Sequence, residues 1–161
     1  MIVYKAVLVG GFENGRYVVK GKRMLSLYAD SLGEDVAVEY KMGEEIFPSL
    51  PNSKLFVWRE RPGRMYGIRF ACLYPMALLA CECEDVKFLE EKICFSHLLD
   101  AKSGWDSNGL IPRFDGDGCV LMPHEMVALV PRLRPVEIIG CRVNGCFYEG
   151  DYLGIQGGGV L

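Results

Sequence analysis

Threonine is absent from this chain, glutamine occurs once (Gln156), asparagine four times and histidine twice (His97 and His124). Each scarcity excludes something. Two imidazoles leave few ways to build a histidine-based metal site or a nucleophile–base pair. Any motif that requires a threonine hydroxyl is missing outright. Few thermolabile amides is a trend of heat-adapted proteins, although seven cysteines and seven methionines argue the other way. Long hydrophobic runs are lacking too. The stretch Leu73-Tyr74-Pro75-Met76 followed by Ala77 to Ala80 falls well short of the roughly 20 apolar residues of a membrane span. The first residues, Met1-Ile2-Val3-Tyr4-Lys5, enter a strand-like run without the basic region and apolar core of a secretory signal. The expectation is an intracellular protein, in the host cytoplasm if the source is viral, with no membrane partner.

Half of the 161 residues are hydrophobic and 24% are charged, as in ordinary folded proteins. That length fits one domain, residues 1–161, whose core hides about two-thirds of the surface of the unfolded chain. The net charge of -3 gives no general attraction for a polyanion, so nucleic acid would need a local basic groove. Seven cysteines cannot all pair within one chain, and their scatter from Cys72 to Cys146 is not a secreted disulfide framework. Reduced, buried thiols are expected, with disulfides if the source is a hyperthermophile.

Residues Val3 to Val9 and Tyr17 to Leu27 are β-branched and aromatic runs flanking Glu13-Asn14-Gly15-Arg16, a hairpin signal because both turn positions accept positive φ. Val36, Val38, Tyr40 and Met42 alternate with Ala37, Glu39 and Lys41, and Gly43 closes that strand. Pro48 to Ser53 reads as a loop, Lys54 to Trp58 as a short strand, and Pro62-Gly63 as a break. Arg64 to Leu73 fits a short helix. Ala77 to Cys83 reads as a buried strand. Val86 to Leu99, apolar at 86, 89, 93 and 94 and charged at 87, 90, 91 and 92, predicts an amphipathic helix. Ser103 to Gly118, rich in glycine and polar turn formers, predicts a long loop. Strands return over Cys119 to Met122, Met126 to Val130 and Val136 to Val143, and Asn144-Gly145 turns the chain into Cys146 to Leu153. Gly157 to Gly159 marks a frayed tail. The sum is an α+β fold, mainly an antiparallel sheet with two Asn-Gly hairpins and one or two helices.

Cys81, Cys83, Cys94 and His97 carry the ligand types of a tetrahedral zinc site, the one cofactor the sequence suggests. Alternation sets Cys81 and Cys83 on one face, and a helix would set Cys94 and His97 on one side. The Cys-x-Cys spacing, however, is not the usual zinc spacing, and on an apolar strand cysteine behaves as a small hydrophobe. Cys94 with His97 and Cys119 with His124 are the adjacent thiol–imidazole pairs, without a family signature. Val9 to Gly15 has the glycines of a phosphate loop but runs into extended sequence rather than a helix, so it reads as a turn. Asp106 to Gly109 and Asp115 to Gly118 offer oxygens, but no glutamate follows at the calcium-loop distance. Arg59, Arg61, Arg64, Tyr66 and Arg69 interleave cations and aromatics, the pairing that serves phosphate contact with base stacking, or a protein edge.

Val38 to Gly43, Pro51, Ser53 to Trp58, Cys81-Glu82-Cys83-Glu84 and Gly118 to Leu121 resemble small uncharacterised proteins of phages and microbial mobile elements, over about half the chain. That resemblance implies a viral or mobile-element accessory protein and carries no catalytic residues. The order of a glycine-ended strand, an aromatic strand, a helix and an apolar strand is also similar to the split sheet of ADP-ribosyltransferases. There a strand-borne glutamate orients the ribose of NAD, and Glu137 in Pro135-Val136-Glu137-Ile138-Ile139 takes that position. The family's Ser-Thr-Ser element and its His or Arg strand motif are missing. The expectation is therefore a binding module, its ligand a protein or a second copy of the chain. An NAD-using transferase and a zinc-stabilised structural domain are the alternatives.

Overall fold

Valine at 3, 7 and 9 against Tyr4, Ala6 and Leu8 gives the first strand two apolar faces, the pattern of a strand covered on both sides rather than one washed by water. In the computed structural model, which describes residues 1–27, 29–49, 54–62, 74–88, 93–94, 120–122 and 127–156, this run forms β1 (Ile2–Glu13) at the centre of the sheet. β2 (Arg16–Leu25) returns antiparallel to it across Asn14 and Gly15, at φ 51° and 75°. A single helical turn, α1 (Ala29–Leu32), follows, then β3 (Glu39–Tyr40) and β4 (Leu55–Trp58). β5 (Met76–Glu82) pairs with β1 over seven positions, from Ile2 opposite Glu82 to Leu8 opposite Met76.

β6 (Lys87–Phe88), β7 (Ile93–Cys94), β8 (Val120–Met122) and β9 (Val127–Val130) are short. β10 (Arg134–Val143) and β11 (Cys146–Glu149) close the chain as an antiparallel pair turned at Asn144 and Gly145, at φ 50° and 78°. The described strands form a nine-stranded sheet running β11-β10-β5-β1-β4-β9-β6, with β2 and β3 branching from β1. β7 and β8 form a separate pair. Every pairing between named strands is antiparallel.

The helix expected over Val86 to Leu99 is corrected where the chain is described. Lys87 and Phe88 pair with Leu129 and Ala128, and Ile93 and Cys94 pair across from Met122 and Val120. A charge pattern of helical period was satisfied equally by short strands, and partners supplied from elsewhere decided between them. Among the described residues α1 is the whole of the α-helix. The strand expected around Val36 to Met42 is reduced to Glu39–Tyr40, and the helix expected over 64–73 lies outside the described residues. None of the described helices is long and apolar enough to cross a membrane.

Side chains of β1 and β5 alternate between two apolar clusters. Val3, Val7, Val9, Ala77, Leu79 and Cys81 join one with Tyr40, Leu55, Val57 and Leu133. Ala6, Leu8, Met76 and Leu78 join the other with Leu25 and Trp58. Each fully buried Leu or Val contributes roughly 1.5–3 kcal/mol over leaving it in water.

The sheet forks at β1. Tyr4 is opposite both Ala80 of β5 and Trp58 of β4, and Leu8 is opposite both Met76 of β5 and Leu25 of β2. A strand has two edges, so β4 and β2 must share the edge that β5 does not use. Between the Tyr4 and Leu8 partnerships that edge passes from one wing, β4-β9-β6, to the other, β2-β3.

Candidate functional site

Lys5 lies in the fork. On β1 it occupies the face of Val3, Val7 and Val9, directly opposite Leu79, with Cys81 one same-face position away opposite Val3. A lysine there has an apolar address, and its side chain ends up only 8% exposed. Its ammonium Nζ donates to the backbone carbonyl of Phe56 on β4 at 2.7 Å, where β1 and β4 have parted after their Tyr4–Trp58 pairing. From the other wing, Tyr40 of β3 places its ring centre 5.6 Å from Nζ. The lysine tip thus bridges the wings, by a hydrogen bond to one and a cation–π contact to the other.

The electrostatics follow from enclosure. Burial lowers the Lys5 amine from 10.5 to about 8, with Cys81 pulling weakly upward. Burial raises the Cys81 thiol to about 12 against the opposing influence of Lys5, so its sulfur stays protonated. Tyr40 is fully buried and its phenol is also pushed up, first by burial and then by Cys81. Its hydroxyl has no hydrogen-bond partner among the described residues. Three groups in one apolar fork are therefore an amine neutral in an unusually large share near pH 8, a neutral thiol, and a phenol with an unused O–H. Such an amine is a nucleophile or a base in waiting. Nothing in the composition or motifs announced it. The signal was a positional one, a lysine on the inward side of a period-two apolar strand.

The residues singled out from the sequence are spread over the molecule. Cys81 and Cys83 do share one face, within the apolar cluster. Cys94 lies in β7, in the separate two-stranded pair, and His97 is outside the described residues. Among the described residues no three His, Cys, Asp or Glu side chains are grouped to hold a metal ion. Glu137 is exposed on β10, between register shifts at Pro135/Glu137 and Ile138/Gly140. Arg59 and Arg61 are exposed just beyond β4, and the Arg61 guanidinium donates from Nη2 to both carboxylate oxygens of Glu149 at 3.1 Å. Arg64, Tyr66, Arg69, Cys119, His124 and the 103–118 loop lie outside the described residues.

That Arg61–Glu149 pair ties the end of β4 to β11, an edge of the sheet. Beside it Tyr148 and Tyr152 stack with ring centres 4.0 Å apart and planes 10° from parallel, and both are exposed. Compared with protein-family models, with curated proteins and with solved structures, the chain matches none.

Proposed function

We propose that this protein is a non-enzymatic interaction module, an accessory protein of viral or mobile-element type, that offers the β11 edge of its sheet to a protein partner. The observation that carries this reading is the edge itself. Among the described residues β11 is hydrogen-bonded to β10 on one side and ends the strand order on the other, and such an edge offers a row of backbone donors and acceptors for an added strand. Next to it stand the stacked Tyr148 and Tyr152, rigid amphipathic rings of the kind enriched at protein interfaces, while Arg61 pairs with Glu149 of the same strand. A net charge of -3 favours a protein over a nucleic acid.

The transferase alternative is weaker on physical grounds. Glu137 is an exposed carboxylate, and stabilising an oxocarbenium-like charge depends on fixed groups in a water-excluded site. The zinc alternative is weaker as well, because Cys81 and Cys83 pack within the apolar cluster while Cys94 belongs to the separate β7-β8 pair.

The test is quantitative affinity purification from cells of the source, comparing the native chain with a Tyr148→Lys, Tyr152→Lys double variant of equal melting temperature. At least one protein enriched by the native chain should lose its enrichment with the variant. Identical profiles from the two baits, or NAD turnover abolished by Glu137→Gln, would end the reading.

A further inference from the structure

We propose that Asn144 is a self-modifying site: in the folded protein the Asn144-Gly145 turn deamidates to isoaspartate and aspartate with water alone, while the fold shields the matching Asn14-Gly15 turn. The backbone nitrogen of Gly145 gives its proton to solvent base and bonds to Cγ of Asn144. The Cγ–Nδ2 bond breaks, and the side-chain nitrogen leaves as ammonia. Water then opens the cyclic imide at either carbonyl, which leaves an aspartate, or an isoaspartate whose main chain runs through Cγ. One amide and one water give one carboxylic acid and one ammonia, so no oxidant or reductant enters.

Locally the two turns are alike. Each asparagine and glycine has positive φ, 51° and 75° at 14 and 15 against 50° and 78° at 144 and 145. Both pairs are exposed, and a Cβ at either glycine would meet nothing within 4 Å, so neither glycine nitrogen is screened by a neighbour. A two-residue turn of this kind fixes the asparagine side chain relative to the next nitrogen, and closing a five-membered ring across them requires the turn to open. Opening is therefore what separates the two sites.

The first turn is clamped. The Gly15 carbonyl accepts the Glu34 N–H at 3.1 Å, which fastens the tip of the β1–β2 hairpin to the chain beyond α1. Among the described residues no backbone bond from another segment reaches Asn144 or Gly145. Their tip also overhangs the sheet. The ladder from β10 to β5 stops at Arg142 opposite Met76, and among the described residues Val143 pairs only with Cys146. The far end of β11 is held separately, by the Gly150 N–H on the Ile139 carbonyl at 2.8 Å and by Arg61 on Glu149. The tip can thus open while the strand stays in place. The isoaspartyl product puts an extra atom into the main chain of a two-residue turn, so the Val143–Cys146 pairing at the root of β11 is lost. The aspartyl product adds only a negative charge. This site is independent of whether the β11 edge has a partner.

The experiment ages the full chain in mildly alkaline buffer, folded and in urea side by side, and then digests it at acid pH, where the imide forms slowly. Electron-transfer fragmentation reads aspartate and isoaspartate at positions 14 and 144 separately. In urea the two sites should convert at similar rates. In the folded chain Asn144 should convert about fivefold faster than Asn14, the factor that one net hydrogen bond puts on an opening equilibrium. Glu34→Pro, which has no N–H to give Gly15, should raise Asn14 toward the Asn144 rate. Asn144→Gly, which keeps the positive φ, should remove most of the ammonia that the folded chain releases. Equal rates at the two sites in the folded chain, or an Asn144 that stays intact while the unfolded sample converts, overturns the proposal. The comparison within the native chain decides the matter even if a variant fails to fold.

Discussion

At the scale of the residue, the cost of Lys5 can be read from its proton. The shift from 10.5 in an unfolded chain to about 8 in the folded one corresponds to roughly 3 kcal/mol of stability withheld while the amine is charged. Below pH 8 both states carry the proton, and the cost is present in full. Between 8 and 10.5 the unfolded chain holds the proton and the folded chain has released it, so stability rises with pH across that window. Lys5→Met should remove this rise. At pH 7 it should stabilise the fold by about 2 kcal/mol, the lost bond to the Phe56 carbonyl taking back about 1 kcal/mol. Urea denaturation at pH 7 and pH 10 measures both. An unchanged slope of stability against pH in the variant would show that another group titrates. The contrasting residue is Arg23, whose guanidinium pairs with both oxygens of Glu39 at 3.0 and 3.1 Å and holds that carboxyl below its usual range. Arg23 is exposed and Glu39 only half-buried, so solvent screening leaves that pair a small role.

At the scale of the element, β10 and β11 depend on a glycine. Gly140 is opposite Glu149 in their pairing, and a Cβ at position 140 would drive into the ring of Phe147 and stand 2.8 Å from the backbone oxygen of Tyr148. Gly140→Ala should therefore cost on the order of 2 kcal/mol, because the obstruction is partly backbone and the short strand β11 must shift. It should also loosen the stacking of Tyr148 on Tyr152. Thermal denaturation gives the first effect and near-ultraviolet circular dichroism the second. Strand character at this scale was largely legible. Apolar runs at 3 to 9, at 77 to 83 and at 136 to 143 mark β1, β5 and β10, whose side chains face two different apolar clusters, whereas the alternation at 36 to 42 is reduced to Glu39–Tyr40. The segment 86–94 was misread because four charged and five apolar residues fit a helix as readily as strands too short to show a period.

At the scale of the whole molecule, the sheet is stitched by contacts distant in sequence. β1 meets β5 some seventy residues later, and β5 meets β10 over seven positions from Arg134 opposite Glu82 to Arg142 opposite Met76. Removing residues 134–161 would strip one edge of β5 and expose Leu78 and Leu79, which are fully buried. The shortened chain should show no cooperative thermal transition by far-ultraviolet circular dichroism. A sharp transition would mean that β1, β4 and β5 are stable without β10. Such non-local pairing also separates what was legible from what was not. Period-two alternation is a local property, written residue by residue, and it determined strands, their apolar faces and a mainly antiparallel sheet. The fork at β1 is not local. It arises because β4 and β2, from opposite sides of Tyr40 in sequence, compete for one edge of one strand. Only that meeting encloses Lys5, takes its tip to the Phe56 carbonyl, and turns a lysine that reads as a misplaced surface charge into a buried amine.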